Sequence, residues 1–250
     1  MDEGHWQGWS GDEQEMPMPI PSLHTFSGQP HQGKRTMREL ISSLQQAIKQ
    51  NTLDSRRIND AIGQLQALGH KAYDAHKFPA LPANTAEFSG DIGDTPQNLA
   101  EALLWKMGKW NTYKIFVENF NDLDREVSSD GGVVFSAFAR YLRDPDAPIY
   151  DQHAMRAIWA LGSLDATEEE KCRKFLFTGS GRWRQTGTGD NDASCYRLFV
   201  KHVNAICDTN QVTHAALDKL LMPLGQALKA RTGNANVSDR QAFVELCWPS

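Results

Sequence analysis

Asp151-Gln152-His153-Ala154-Met155-Arg156 gathers a carboxylate, an imidazole and a guanidinium within six residues. Pro148 precedes the run and an apolar helical period follows it, so Asp151 falls at a helix start. Unpaired backbone N–H groups and the helix dipole keep a carboxylate ionised there. An ionised carboxylate suits a reaction that builds positive charge in its transition state. The plainer reading is an N-cap, for which Asp is among the best residues. His153 and Arg156 lie one turn apart on the same helix face, which fits either anion binding or an ordinary polar surface. Upstream, Gly131 and Gly132 precede another apolar helical run. They read as a tight turn with positive φ, or as a helix start that opens backbone amides to a phosphate.

Two further stretches carry usable chemistry. The first, Trp105-Lys106-Met107-Gly108-Lys109-Trp110-Asn111, breaks a helical pattern at Gly108. Its Lys106, Lys109, Trp110 and Asn111 suit stacking and hydrogen bonding to an exposed nucleotide, while Trp105 reads as a core aromatic. The second, Thr178 to Gly189, contains Arg182-Trp183-Arg184. It lacks the Gly-Lys-Ser/Thr ending of a nucleotide-binding loop, and no strand precedes it. Lys171 to Lys201 holds seven basic and two acidic residues, a local excess of +5. That stretch is either a nucleic-acid-facing surface with Trp183 as a base-pocket residue, or a surface loop with incidental charge.

The elements that must hold these residues are helices. Apolar residues at helical spacing start near Thr36, a candidate cap. A second helix runs from about Asp54 to Gly69. Asp94-Thr95-Pro96 reads as the cap and first turn of a third, whose apolar stripe is Leu99, Ala102, Leu103 and Met107. Tyr113 to Phe120 forms the next helix, Leu123 to Ser128 a short one, Val133 to Arg143 another, and Asp151 to Leu161 the one after. Further helices are expected at Glu168–Phe177, Ala193–Ile206, Thr213–Ala230 and Ser238–Leu246. No alternating strand pattern or internal repeat is visible, so the fold class is all-α.

Charge first argues against nucleic acid, because the formal net charge is −5. Its location reverses that argument. Residues 1–33 carry Asp2, Glu3, Asp12, Glu13 and Glu15 and no Lys or Arg, while residues 34–250 hold 26 basic and 26 acidic side chains. Residues 1–33 therefore read as a flexible acidic arm and residues 34–250 as the folded domain. Cys172, Cys195, Cys207 and Cys247 form no CxxC pair, which argues against a structural metal site and fits reduced thiols in a cytoplasmic protein. No stretch approaches the roughly 18 apolar residues of a membrane helix, and Met1 to Met16 lacks the apolar core of a signal peptide. No membrane partner is expected.

The order of the parts resembles the helix-hairpin-helix DNA glycosylase superfamily, nearest to its 8-oxoguanine glycosylase branch. The resemblance spans about 95–230 and is sharp over about 130–161: helix, Gly hairpin, helix, Pro loop, then Asp151-Gln152-His153-Ala154-Met155-Arg156. It implies two helical subdomains with a cleft between them, a hairpin element at about 123–143 and a catalytic loop at 144–151. It assigns Asp151 the catalytic role and Gly131 and Gly132 the grip on a DNA phosphate. Lys109, Asn111, His153, Arg156, Arg182 and Arg184 become further DNA contacts, with Trp110, Lys106 and Trp183 as pocket or wedge residues. The hairpin departs from the family in reading Ser129-Asp130-Gly131-Gly132. Val133, Val134 and Phe135 stand where bifunctional members carry a Schiff-base lysine, so the resemblance implies a monofunctional hydrolase. It implies no cofactor or metal, a monomer, and duplex DNA bearing a modified base as partner. The base is either an oxidised purine or a bulky phage-type cytosine, the latter implying a role in antiphage defence. Two other readings stand beside it: a non-catalytic DNA-binding module of the same fold, and a helical protein-interaction domain.

Overall fold

The computed structural model describes residues 30–73, 81, 93–127, 132–144, 146–184, 193–229 and 237–249. Among these residues there are ten helices and no sheet. In chain order they are α1 (Pro30–Lys49), α2 (Ser55–Ala67), α3 (Leu99–Lys106), α4 (Trp110–Asn121), α5 (Val133–Arg143), α6 (Gln152–Leu161), α7 (Ala166–Leu176), α8 (Ala193–Asn210), α9 (His214–Ala227) and α10 (Asp239–Cys247). Residues 1–29, Gly131 and residues 185–192 lie outside the described residues, and with them most of the acidic arm and the second half of the Gly-rich loop.

Local chemistry accounts for most boundaries. Asp54 caps α2 by accepting from Arg57 N at 2.8 Å, and Gly69 beyond its end adopts φ 88°. Asp165 and Glu168 form a reciprocal capping box on α7. Three expected boundaries move. α1 begins at Pro30 rather than Thr36, Pro being favoured in a first turn where its missing N–H costs nothing, so residues 30–33 belong to the helix and not to the arm. α3 begins at Leu99, because Asn98 caps it by accepting from Glu101 N at 2.9 Å while Asp94 pairs instead with Lys114 at 2.6 Å. Leu123 to Val127 is not a helix: Asp122 Oδ1 takes the N–H groups of Asp124 and Arg125, at 3.0 and 3.2 Å, in a turn that competes with helical bonding.

Buried apolar residues fall into two clusters. The larger joins α1, α2 and α6 to α10, with α6 at its centre against α1, α7, α8 and α9. The smaller is Phe120, Ala139, Tyr141, Leu142 and Ile149, where α4 packs on α5. α5 serves both, since Val133 and Ala137 belong to the larger cluster and Ala139, Tyr141 and Leu142 to the smaller. The segment leading into α6 also straddles them: Ile149 packs in the smaller cluster and Tyr150 in the larger. Asp151 follows at once.

Candidate active site

Asp151 is the N-cap of α6, with extended backbone at φ −154°. One carboxylate oxygen, Oδ1, accepts from both His153 N at 2.7 Å and Ala154 N at 2.8 Å. These bonds use orphan donors of the helix start and hold the side chain in one orientation, half-buried. Burial lowers the pKa of His153 and Arg156 and raises that of Asp218, and the charge of Asp151 opposes the first two shifts and adds to the third.

The approach to Asp151 is held tightly. The Tyr150 ring lies 5.5 Å from Phe175, 5.4 Å from Tyr196 and 5.2 Å from Phe199, centroid to centroid. Ile149 N donates to Asp218 Oδ2 on α9 at 3.2 Å. Past Asp151, α9 comes as close to α6 as backbones allow. A Cβ on Gly225 would stand 1.9 Å from the His153 carbonyl oxygen, so glycine is required here for close approach.

Arg156 occupies that contact. It is fully buried; Nη1 donates to Gly225 O at 2.7 Å and reaches His153 Nδ1 at 3.1 Å. Arginine only donates, so Nδ1 serves as the acceptor where this contact is a hydrogen bond. Burial lowers the pKa of His153 and brings that of Arg156 down to about 10, in both cases against the pull of Asp151. The guanidinium carbon of Arg156 sits 4.3 Å from the Trp183 ring centroid, so the cation is compensated by an aromatic face. Arg156 therefore locks α6 to α9 and Trp183, and does not lie on a DNA-facing surface as the sequence suggested.

Trp183 is placed inward as well. It is buried, with its ring stacked on Phe177 at 4.2 Å, and the two residues form an isolated antiparallel bridge. Arg184 Nε donates to the carbonyls of Lys174 at 2.8 Å and Phe177 at 3.0 Å, capping the end of α7. Arg182 is exposed and stands 3.6 Å from buried Asp239.

The +5 stretch is largely neutralised by the fold. Arg173 and Lys174 pair with Glu170, Lys201 with Glu168, Arg197 with Glu126 and Arg182 with Asp239. Glu168, Glu169 and Glu170 lie just ahead of the window that showed the excess, and Glu126 and Asp239 come from distant segments. The α3–α4 turn contrasts with this. Gly108 at φ 68° sharpens it, and Lys106, Met107, Lys109 and Asn111 are all exposed, with Trp110 half-buried against Tyr113. Trp105, expected in the core, is exposed too. At the head of α5, Gly132 has φ 95° and the helix start has no side-chain cap.

Comparison with protein-family models, curated proteins and solved structures returned no match. Function must therefore be argued from the geometry. Among the described residues no group of three or more His, Cys, Asp or Glu is placed to hold a metal ion, and no helix is long and apolar enough to cross a membrane. All four cysteines are buried free thiols, and burial raises the pKa of Cys207 to about 11 and of Cys247 to about 12.

Sequence reasoning missed Asp218 and Gly225, although both left a signal. Asp218 interrupts the apolar stripe Leu217, Leu220, Leu221 and Leu224, and Gly225 sits inside a helix two residues after Pro223.

Proposed function

We propose that the protein is a DNA N-glycosylase of the helix-hairpin-helix type, hydrolysing the bond between a modified base and its sugar. One observation carries this reading. Asp151 is fixed through a single oxygen at a helix start, directly after a segment whose neighbouring residues pack in two different apolar clusters. A cleft between two helical subdomains would run along that seam, and a flipped nucleotide entering it would meet the carboxylate. Positive charge develops on the sugar as the glycosidic bond breaks, and the anchored anion stabilises it while a water completes hydrolysis. The uncapped start of α5 at Gly132 is suited to a backbone phosphate, and the exposed Lys109 and Asn111 to the gap left by the flipped base. Arg156 supports the site by fixing α6 rather than by touching DNA. The target is either an oxidised purine or a bulky modified cytosine of the kind found in phage DNA.

The test is a panel of duplexes, each bearing one modified base, scored for abasic-site formation. Asp151→Asn is expected to lower single-turnover base release by on the order of a hundredfold or more while duplex affinity stays within threefold. Turnover near the wild-type rate in that variant would refute the assignment. A second reading, a helical protein-interaction domain, is favoured by the ion pairing that neutralises the basic stretch. It requires duplex affinity to be absent at low as well as at high salt.

A further inference from the structure

α9 grips the front of α6 at two points. Gly225 meets His153 and Arg156, and Asp218, two turns earlier on α9, meets Ile149. The second grip is the unexpected one. Leu217, Leu220, Leu221 and Leu224 around Asp218 are completely buried, and a carboxyl group on such a face is costly unless it is bonded. Asp218 is itself 3 % exposed; Oδ2 accepts from Ile149 N at 3.2 Å and Oδ1 has no hydrogen-bond partner. Burial first, and then the charge of Asp151, push its pKa up to about 7. Burial, and after it the charge of Asp218, raises the pKa of Tyr141 on α5 and of Cys207 on α8.

Only Tyr150 separates Ile149 from Asp151, and its ring is packed among three aromatics. Holding the Ile149 amide therefore fixes the backbone from which Asp151 springs. On its far side Asp151 is tied through Oδ1 to His153 N and Ala154 N. We propose that Asp218 is a positioning residue for Asp151, holding the entry to α6 through the Ile149 amide so that the second carboxylate oxygen of Asp151 keeps one bearing. The inference rests on the role given to Asp151 above. Asp218 touches no reacting atom; it acts through two residues of backbone.

Two substitutions separate this role from general packing. Asp218→Asn keeps a side-chain carbonyl that can accept from Ile149, whereas Asp218→Leu keeps the size and removes the acceptor. Amide hydrogen exchange on the full chain is followed at Ile149, His153 and Ala154, with α2 amides as the internal reference. Single-turnover base release is measured on duplexes carrying 8-oxoguanine or glucosylated 5-hydroxymethylcytosine. The expected result for Asp218→Leu is at least tenfold faster exchange at those three amides, with α2 unchanged, and at least a tenfold slower release. Asp218→Asn stays within threefold of wild type in both. Exchange in Asp218→Leu no faster than in wild type overturns the proposal, as does Asp218→Asn behaving like Asp218→Leu. If Asp218→Leu does not fold, Asp218→Ser, whose hydroxyl is too short to reach Ile149, is judged by the same criteria. Accelerated exchange in a protein whose wild type releases no base refutes the glycosylase reading and leaves the positioning role standing. Release by wild type with unchanged exchange in Asp218→Leu does the reverse.

Discussion

α6 and α3 are both short and apolar, and the fold treats them in opposite ways. Every residue of α6 except His153 is buried, including an arginine. In α3 only Glu101 is buried, while Leu99 is 88 %, Leu103 60 % and Trp105 55 % exposed. Apolar content alone decides neither outcome. α6 runs between α1, α7, α8 and α9, whereas α3 meets α4 at a turn, where Tyr113 Oη donates to Glu101 Oε1 at 3.3 Å. One helix is a fixed support and the other a presented surface.

The largest effect that can break this contrast comes from Gly225→Ala. The added methyl would overlap the His153 carbonyl, at 1.9 Å, and force α6 and α9 apart. A loss of about 3 kcal/mol or more in unfolding free energy is expected by chemical denaturation. A loss under 1 kcal/mol would show that α6 is not held as described. Arg156→Ala comes next, at roughly 3 kcal/mol, because it opens a cavity over Trp183 and leaves the Gly225 carbonyl and His153 Nδ1 without their donor.

The pH dependence of stability sharpens the comparison further. Asp218 binds its proton more tightly in the folded chain, with a pKa of about 7, than in the unfolded one. Its contribution is therefore complete below about pH 4 and is lost as pH rises to 7, at most roughly 4 kcal/mol. Asp218→Asn should flatten that slope, so that the variant gains on wild type at pH 8 relative to pH 4. An unchanged slope would mean that Asp218 is not desolvated. The smallest effect is expected in α3, where Leu103→Gln should move stability by no more than about 0.5 kcal/mol. A larger loss would show that this face is covered in the folded protein.

What the sequence made legible follows the same division. Helices defined by a single local signal were readable: α5 at Val133–Arg143, α2 from the Asp54 cap, and α6 from the cap Asp151 to the stop at Gly162. Asp151 itself was visible because a cap, a proline loop and a polar run are all local in sequence. The short helix at Leu123 was misread because Asp122 bonds its own neighbours, a competition that composition does not reveal. The local charge of the basic stretch was not legible, because charge counted along a chain omits partners across space, as Arg197 with Glu126 shows. Arg156 looked like surface chemistry because a lone guanidinium is costly to bury, and its partners Gly225, His153 and Trp183 are distant or nonobvious in sequence. Trp105 was placed inside on side-chain type alone, and it is 55 % exposed on a helix whose packing partner is α4.

The missing side chain at Gly225 has a mechanical consequence. With backbone against backbone there is no compressible layer between α6 and α9, so the two move as one piece. On the other side of Asp151 the smaller cluster joins α4, α5 and Ile149 through five buried side chains. That cluster is the smaller of the two. Between the two, Asp151 is held from the side of α6 and α9.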